Sequence, residues 1–180
     1  PVLSCITPAL RFQEADITTI EGISTDGTLH KLQNKFVEKG AVQCGFCTPG
    51  MVMTALDFIN KNPDPSTDQI KDSLSGNVCR CTGYKKIIEA VLEYAKEIKS
   101  QKLKVKSDQK FKSDSIDPGH KIVGHGRPYI EAGKKVSGFA EYADDIRIKN
   151  SLHCKLLRSI HPHAKILSID TSEAEKLPGV

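Results

Sequence analysis

No run of apolar residues in this 180-residue chain exceeds four, far short of the ~18 or more that a membrane-spanning helix needs. The opening stretch PVLSCITPAL has neither the basic leader nor the long apolar segment of a secretory signal. Internal repeats and long low-complexity tracts are also lacking. With six cysteines the chain is too poor in that residue for a small disulfide scaffold. A mean hydropathy of −0.33 then leaves an ordinary globular composition, expected to be cytoplasmic with no membrane span.

An excess of one charge sign is nearly absent as well. The formal net charge is +4, and residues 96–112 alone carry seven lysines against Glu97 and Asp108, which leaves the rest of the chain close to neutral. A confined lysine run of this kind reads as a solvated helix end and tether, so no nucleic-acid partner is expected.

Four helical patterns occupy the middle of the chain. Leu29, Leu32, Phe36 and Val37 form one apolar stripe, with Gly40 placed to stop it. Met51 to Ile59 predicts a more buried helix ending at Asn62-Pro63. Thr67, followed by Asp68 and Gln69, reads as the cap of a short helix through Leu74, ended by Gly76-Asn77. Tyr84, Ile87, Ile88, Val91, Leu92, Ala95 and Ile98 then predict a long fourth helix, and short connections suggest a compact bundle. The flanks read differently. Cys5-Ile6-Thr7 and Ile17 to Ile20 are β-like but too few to close a sheet, which points to a missing N-terminal partner. Val136 to Phe139, Tyr142, Leu156-Leu157 and Ile166 to Ile169 are candidate strands after a polar, lysine-rich tether at 100–120.

What cysteine there is lies in two tight groups. Cys44-Gly45-Phe46-Cys47 and Cys79-Arg80-Cys81 are separated by 31 residues, each at a predicted helix start, where backbone N–H groups can donate to thiolate sulfur. Gly45 and Gly83 suit backbone conformations closed to other residues. Four thiolates form a soft tetrahedral set, which means zinc or iron–sulfur, and spacing does not separate [2Fe–2S] from [4Fe–4S]. Disulfides are a weaker use, since Cys79 and Cys81 are one residue apart. By itself Cys5 reads as a buried apolar residue or a stray ligand, and Cys154 as a structural thiol. Arg80 reads equally as a charge offset or a packing residue, and the Gln43 amide as an exposed side chain or a partner for a planar heterocycle.

The strings VQCGFCTPGMVMTALDFI and NVCRCTGYKKIIEAV together resemble the molybdenum hydroxylases, the family of xanthine dehydrogenase and aldehyde oxidoreductase. The resemblance implies a multidomain α+β protein. Residues 1–25 would be the end of a β-grasp ferredoxin-like domain, 26–99 a four-helix [2Fe–2S]-binding bundle, 100–120 a linker, and 121–180 the start of the molybdopterin-binding portion, an α/β hammerhead. Its C-terminal part rests on Val123-Gly124, Arg127-Pro128, Lys135 to Gly138, Ala140 to Tyr142, Asp144 to Ile146 and Leu157 to Ala164. Ile160 stands where the family usually has proline, and His161 and His163 read as packing or hydrogen-bonding residues.

By the same resemblance, Cys44, Cys47, Cys79 and Cys81 are the ligands of the inner [2Fe–2S] cluster, and Gln43 and Cys81 lie against the pterin. Cys5 matches the fourth ligand of a second [2Fe–2S] cluster whose other three ligands would come from a missing N-terminal ferredoxin-like piece. The implied enzyme is a molybdenum-dependent oxidoreductase that oxidises an aldehyde or N-heterocycle with water as oxygen source. This chain would be its electron-transfer part and would hold no catalytic residue. Implied partners are the rest of the molybdopterin-binding part, an external electron acceptor and further copies in an oligomer. The linker runs straight from the iron–sulfur domain into the molybdenum portion, the order of flavin-free aldehyde oxidoreductases, so no FAD is expected on this chain. A stand-alone [2Fe–2S] carrier and a zinc-stabilised structural protein are the alternatives.

Overall fold

Four helices that follow from the sequence pattern and a fifth that does not make up the α-helical content of a computed structural model that describes residues 1–102 and 127–180, with side chains for 1–100 and 127–180. The α1 helix, Lys31–Glu38, starts at a reciprocal cap: the Leu32 N–H donates to His30 Nδ1 at 3.2 Å and the His30 N–H donates to Gln33 Oε1 at 2.7 Å. The α2 helix, Thr48–Lys61, begins at Cys47 with a proline in its first turn, where a missing N–H costs nothing. The α3 helix, Thr67–Leu74, is capped by Ser66 rather than Thr67, because Ser66 keeps an extended backbone and its Oγ accepts from Gln69 N–H at 3.2 Å. The α4 helix spans Lys85–Lys102 and α5 spans Ala132–Ser137.

The four predicted helices pack as a bundle, with α1 along α4 and α3 between α2 and α4. Leu32, Phe36, Met51, Val52, Ile59, Ile70, Leu74, Ile87 and Val91 are all at or below 1% exposure. Each such side chain contributes about 1.5–3 kcal/mol by leaving water. Along the rim, Lys31 and Lys35 each lie 3.5 Å from Glu97, and Lys39 lies 2.6 Å from Glu93. Partly exposed pairs of this kind set register more than stability.

The strand expectations at the flanks are corrected. Among the described residues there is no β-strand, and the one isolated bridge joins Thr25 to Thr28. Cys5 lies in a 3-10 turn, Ser4–Ile6, and Ile20 opens another, Ile20–Ile23. With no neighbouring strand to pair with, Val2, Leu3, Ile6, Leu10 and Ile17 stay exposed. Val136 belongs to a helix because Ala132 and Val136, four apart, both reach the core, and Gly138 ends the turn with φ 82°.

The chain divides into two compact units, Pro1–Ala140 and Glu141–Val180. The first therefore includes α5, which packs on α1 and α2 although it follows the tether in sequence. Gln33, fully buried, makes that join: its Nε2 donates to Val136 O at 2.8 Å while its Oε1 accepts from His30 N–H and from Ser24 Oγ at 2.9 Å. The second unit holds one 3-10 turn, Ala143–Asp145, and every residue in it is exposed. Tyr142, Leu156, Leu157 and Ile166 to Ile169 form no strand there. Most of the tether and Val123-Gly124 lie outside the described residues. Among those described, no helix is long and apolar enough to cross a membrane.

The cap of α1 makes stability depend on pH. Burial, and then the charge of Lys31, hold the His30 imidazole below its ordinary pKa, and Nδ1 must stay unprotonated to accept from Leu32. The unfolded chain binds this proton more readily than the folded one, so stability is complete above about pH 6.5 and falls as pH drops below it. His30→Asn keeps a capping acceptor without a titrating group. Urea midpoints measured between pH 7.5 and pH 5.5 are therefore expected to fall less steeply for His30→Asn than for the unmodified chain. Equal slopes would contradict the role assigned to His30.

Candidate metal centre

The four clustered cysteines come from two loops held together by the bundle. Cys44 follows the buried Ala41-Val42, and Cys47 is the N-cap of α2, so the first loop is anchored at both ends. Between them Gly45 has φ 89°, which side-chain-bearing residues rarely adopt. The second loop carries Cys79 and Cys81 and turns into α4 through Gly83 at φ 65° and Tyr84 at φ 66°.

Two brackets hold the second loop, one to α2 and one within the loop itself. Asn77 Nδ2 donates to Thr54 Oγ1 on α2 at 3.0 Å. That approach needs a glycine at position 50, since a Cβ there would come within 2.8 Å of Asn77 Oδ1. The Tyr84 hydroxyl donates to Asn77 O at 2.9 Å and accepts the Cys79 N–H at 2.8 Å, closing the loop on itself. Tyr84 was expected in the apolar stripe of the fourth helix; it stands just before α4 and serves as this bracket instead.

The sulfurs meet as two pairs, one cysteine from each loop. Cys81 Sγ lies 3.2 Å from Cys44 Sγ, and Cys47 and Cys79 each shift the other's acidity. The 44/81 pair is exposed, whereas the 47/79 pair is half-buried against the helices. Among the described residues no three His, Cys, Asp or Glu side chains meet the geometry of a single-ion site. Cys5, exposed on its turn, belongs to neither pair and is not the buried apolar residue that its position alone suggested; Cys154, read as a structural thiol, is exposed too. His161 and His163 are exposed.

Each pair combines one acidic and one basic thiol. At Cys79 burial pushes the thiol up, but the Thr82 hydroxyl and N–H, the Cys81 N–H and the Cys47 thiol outweigh it and bring it down to about 7. Burial, reinforced by Cys79, pushes Cys47 up to about 12. The Phe46 N–H and then the Cys81 thiol lower Cys44, and donation to Cys44 raises Cys81. The Thr82 contacts are direct: its N–H lies 3.4 Å and its Oγ1 3.1 Å from Cys79 Sγ, and its Oγ1 also accepts from Tyr84 N–H at 3.2 Å. A deprotonated Cys79 sulfur can only accept, so the Thr82 hydroxyl donates to it in that state. This donor set suits anionic sulfur ligands that are deprotonated when metal binds.

Around the exposed pair lie Gln43 and Arg80, both exposed, with Phe46 88% and Val78 72% exposed. An open cleft of about 720 Å³ runs beside it, lined in part by Gln43, Cys44, Lys86, Arg127 and Lys135. Lys135 reaches in from α5 and donates to Gln43 O at 3.1 Å. Sequence reasoning missed Thr82, Tyr84 and Lys135 as site residues. A hydroxyl three positions after Cys79 and a tyrosine in an otherwise aliphatic stripe were the available signals for the first two. Lys135 is 92 positions from Gln43 and carries no local signal.

The four clustered cysteines lie in a stretch of chain that a known family matches. Residues 19–92 match the family model described as a [2Fe–2S] binding domain, and residues 137–180 match the a/b hammerhead domain of aldehyde oxidase and xanthine dehydrogenase. Aldehyde oxidoreductase of Megalodesulfovibrio gigas is 37% identical over 185 residues, covering 99% of this chain and 20% of the relative. The nicotinate dehydrogenase small FeS subunit of Eubacterium barkeri is 50% identical over 97 residues, 54% of this chain and 61% of that one. A solved aldehyde oxidoreductase from Desulfovibrio gigas superposes with a TM-score of 0.66 at 37% identity, over 79% of this chain and 15% of the other. The chain thus spans a fifth of the first relative and about three fifths of the second.

Tyr84→Phe tests the bracket. The ring remains, but the Cys79 N–H and Asn77 carbonyl lose their partner, at a cost of about 1 kcal/mol. A lower denaturation midpoint and faster loss of bound metal to a chelator are expected; if both are unchanged, the hydroxyl does not hold the loop.

Proposed function

The chain belongs to the molybdenum hydroxylase family of the aldehyde oxidases and xanthine dehydrogenases, and we propose that its helical domain is the inner electron-transfer station of such an enzyme. The observation that carries this reading is the convergence of the two cysteine loops, with the Cys44 and Cys81 sulfurs 3.2 Å apart. In a [2Fe–2S] cluster each iron takes two protein ligands, so Cys44 with Cys81 would hold one iron and Cys47 with Cys79 the other. A structural zinc asks for four sulfurs around one ion. When bound, such a cluster takes up and releases one electron at a time, which suits the division of a two-electron oxidation into single transfers.

The chain's own residues give the station a direction. The half-buried pair faces the bundle, and the exposed pair lies at a surface edge with Gln43, Phe46 and Val78. In our reading the molybdopterin-type cofactor and its binding portion cover this edge, where the Gln43 amide and the backbone at Cys81 would hold the pterin. Cys5 would be one ligand of the second, outer [2Fe–2S] cluster, completed by a preceding ferredoxin-like piece. The order of parts is the helical domain at 26–99, the tether at 100–120 and the opening of the molybdopterin-binding portion from 121, with α5 folded back on the helical domain. The exposed Leu156, Leu157, Ile166 and Ile169 support further polypeptide packing on the second unit. The whole enzyme would oxidise an aldehyde or N-heterocycle and pass electrons to an external acceptor, in a reducing compartment and with no flavin on this chain.

Two substitutions test the assignment. Cys79→Ala is expected to abolish the cluster and loosen the bundle, because metal–thiolate bonding contributes to folding in so small a domain. Two irons per chain and an unchanged visible spectrum in that variant would sink it. Gln43→Ala is expected to leave the cluster intact while weakening pterin retention or slowing its reduction from molybdenum in the full assembly. Unchanged retention together with an unchanged rate would remove that role from Gln43.

A further inference from the structure

Lys135 is a cation in an unusual place. It lies on α5 at 9% exposure, in a segment that reaches the iron–sulfur loop only by folding back across the tether. Its Nζ donates to Gln43 O at 3.1 Å, directly before the first cysteine of the cluster. It also sits 4.6 Å from the centre of the Tyr129 ring and 3.1 Å from Glu131 Oε2. Taking an ammonium out of water is costly unless it is paired and hydrogen-bonded, and these three partners meet that demand.

We propose that Lys135 is a positioning residue for electron transfer: it pins the Gln43–Cys44 backbone and sets the reduction potential of the cluster through its fixed positive charge. The inference rests on the [2Fe–2S] reading above and deepens it. Reduction adds one negative charge at the cluster. A nearby cation in a poorly solvated position favours the reduced state, and so raises the potential. Its counter-charge is arranged unequally, because the Glu131 carboxylate is 59% exposed and water screens it, whereas Lys135 faces the loop from within. The cluster therefore feels more of the lysine than of the glutamate. The same contact couples the potential to the docking of α5, so the segment beyond the tether both covers and tunes the station before it.

The charges predict shifts of opposite sign, which a purely structural role would not produce. In the full protein, the potential is read by redox titration followed by electron paramagnetic resonance, alongside iron content. Lys135→Gln is expected to lower the potential and Lys135→Arg to keep it near the unmodified value. Glu131→Gln, at an exposed position that leaves the core untouched, is expected to raise it by unmasking the lysine. Retained iron with an unchanged potential in Lys135→Gln overturns the proposal, as do shifts of the same sign in Lys135→Gln and Glu131→Gln. Should Lys135→Gln fail to hold its cluster, Glu131→Gln decides alone: a raised potential supports the proposal and an unchanged one overturns it. An unmodified chain without iron overturns the cluster reading itself, and this inference with it.

Discussion

Everything at the metal centre depends on holding two cysteine loops, 31 residues apart in sequence, within sulfur contact of each other. Close thiolates repel, and loops are the least restrained parts of a helical protein. The bundle meets both difficulties. It anchors one loop at the start of α2 and the other before α4, then ties the second to α2 through Asn77 on Thr54 and closes it on itself through Tyr84 on Asn77 and Cys79. N–H and hydroxyl donors aimed at sulfur replace the solvation that the thiolates lose. Cluster bonds formed on this frame would in turn stabilise the frame, so folding and metal binding are linked here in both directions.

The centre is lopsided, and that gives it a direction. One sulfur pair is packed toward the helices and the other lies at the surface among exposed apolar side chains. A buried ligand pair protects a cluster from water, while an exposed pair shortens the distance to a partner. The buried Gln33 amide and the Lys135 ammonium then attach α5 to the domain by polar contacts that add to the core packing of Ala132 and Val136. Such contacts fix position more sharply than area does, because a misplaced helix would leave buried polar groups unpaired.

Much of this was legible in the sequence, for reasons particular to each element. The helices at 31–38, 48–61, 67–74 and 85–102 follow apolar spacing that packing had only to confirm, and Gly45 and Gly83 were readable because few other residues tolerate their backbone angles. The cysteine spacing left zinc and iron–sulfur open; the neighbouring residues, matched by the [2Fe–2S] binding domain model, narrowed it. The strand readings failed where β-like composition lacked a partner strand, as at Cys5 to Thr7 and Ile166 to Ile169. The β-like run Val136 to Phe139 was overruled by the i, i+4 match of Ala132 with Val136. Gln33 and Lys135 were not legible, since a polar residue in a helical pattern looks solvated until a distant segment covers it.

Metal and sulfide analysis of the unmodified chain, purified without oxygen, separates a [2Fe–2S] cluster from zinc at Cys44, Cys47, Cys79 and Cys81. Two irons and two inorganic sulfides per chain are expected, with a red-brown colour and a rhombic paramagnetic signal that appears on one-electron reduction. A colourless chain carrying a single zinc ion on the same four cysteines would contradict the [2Fe–2S] assignment.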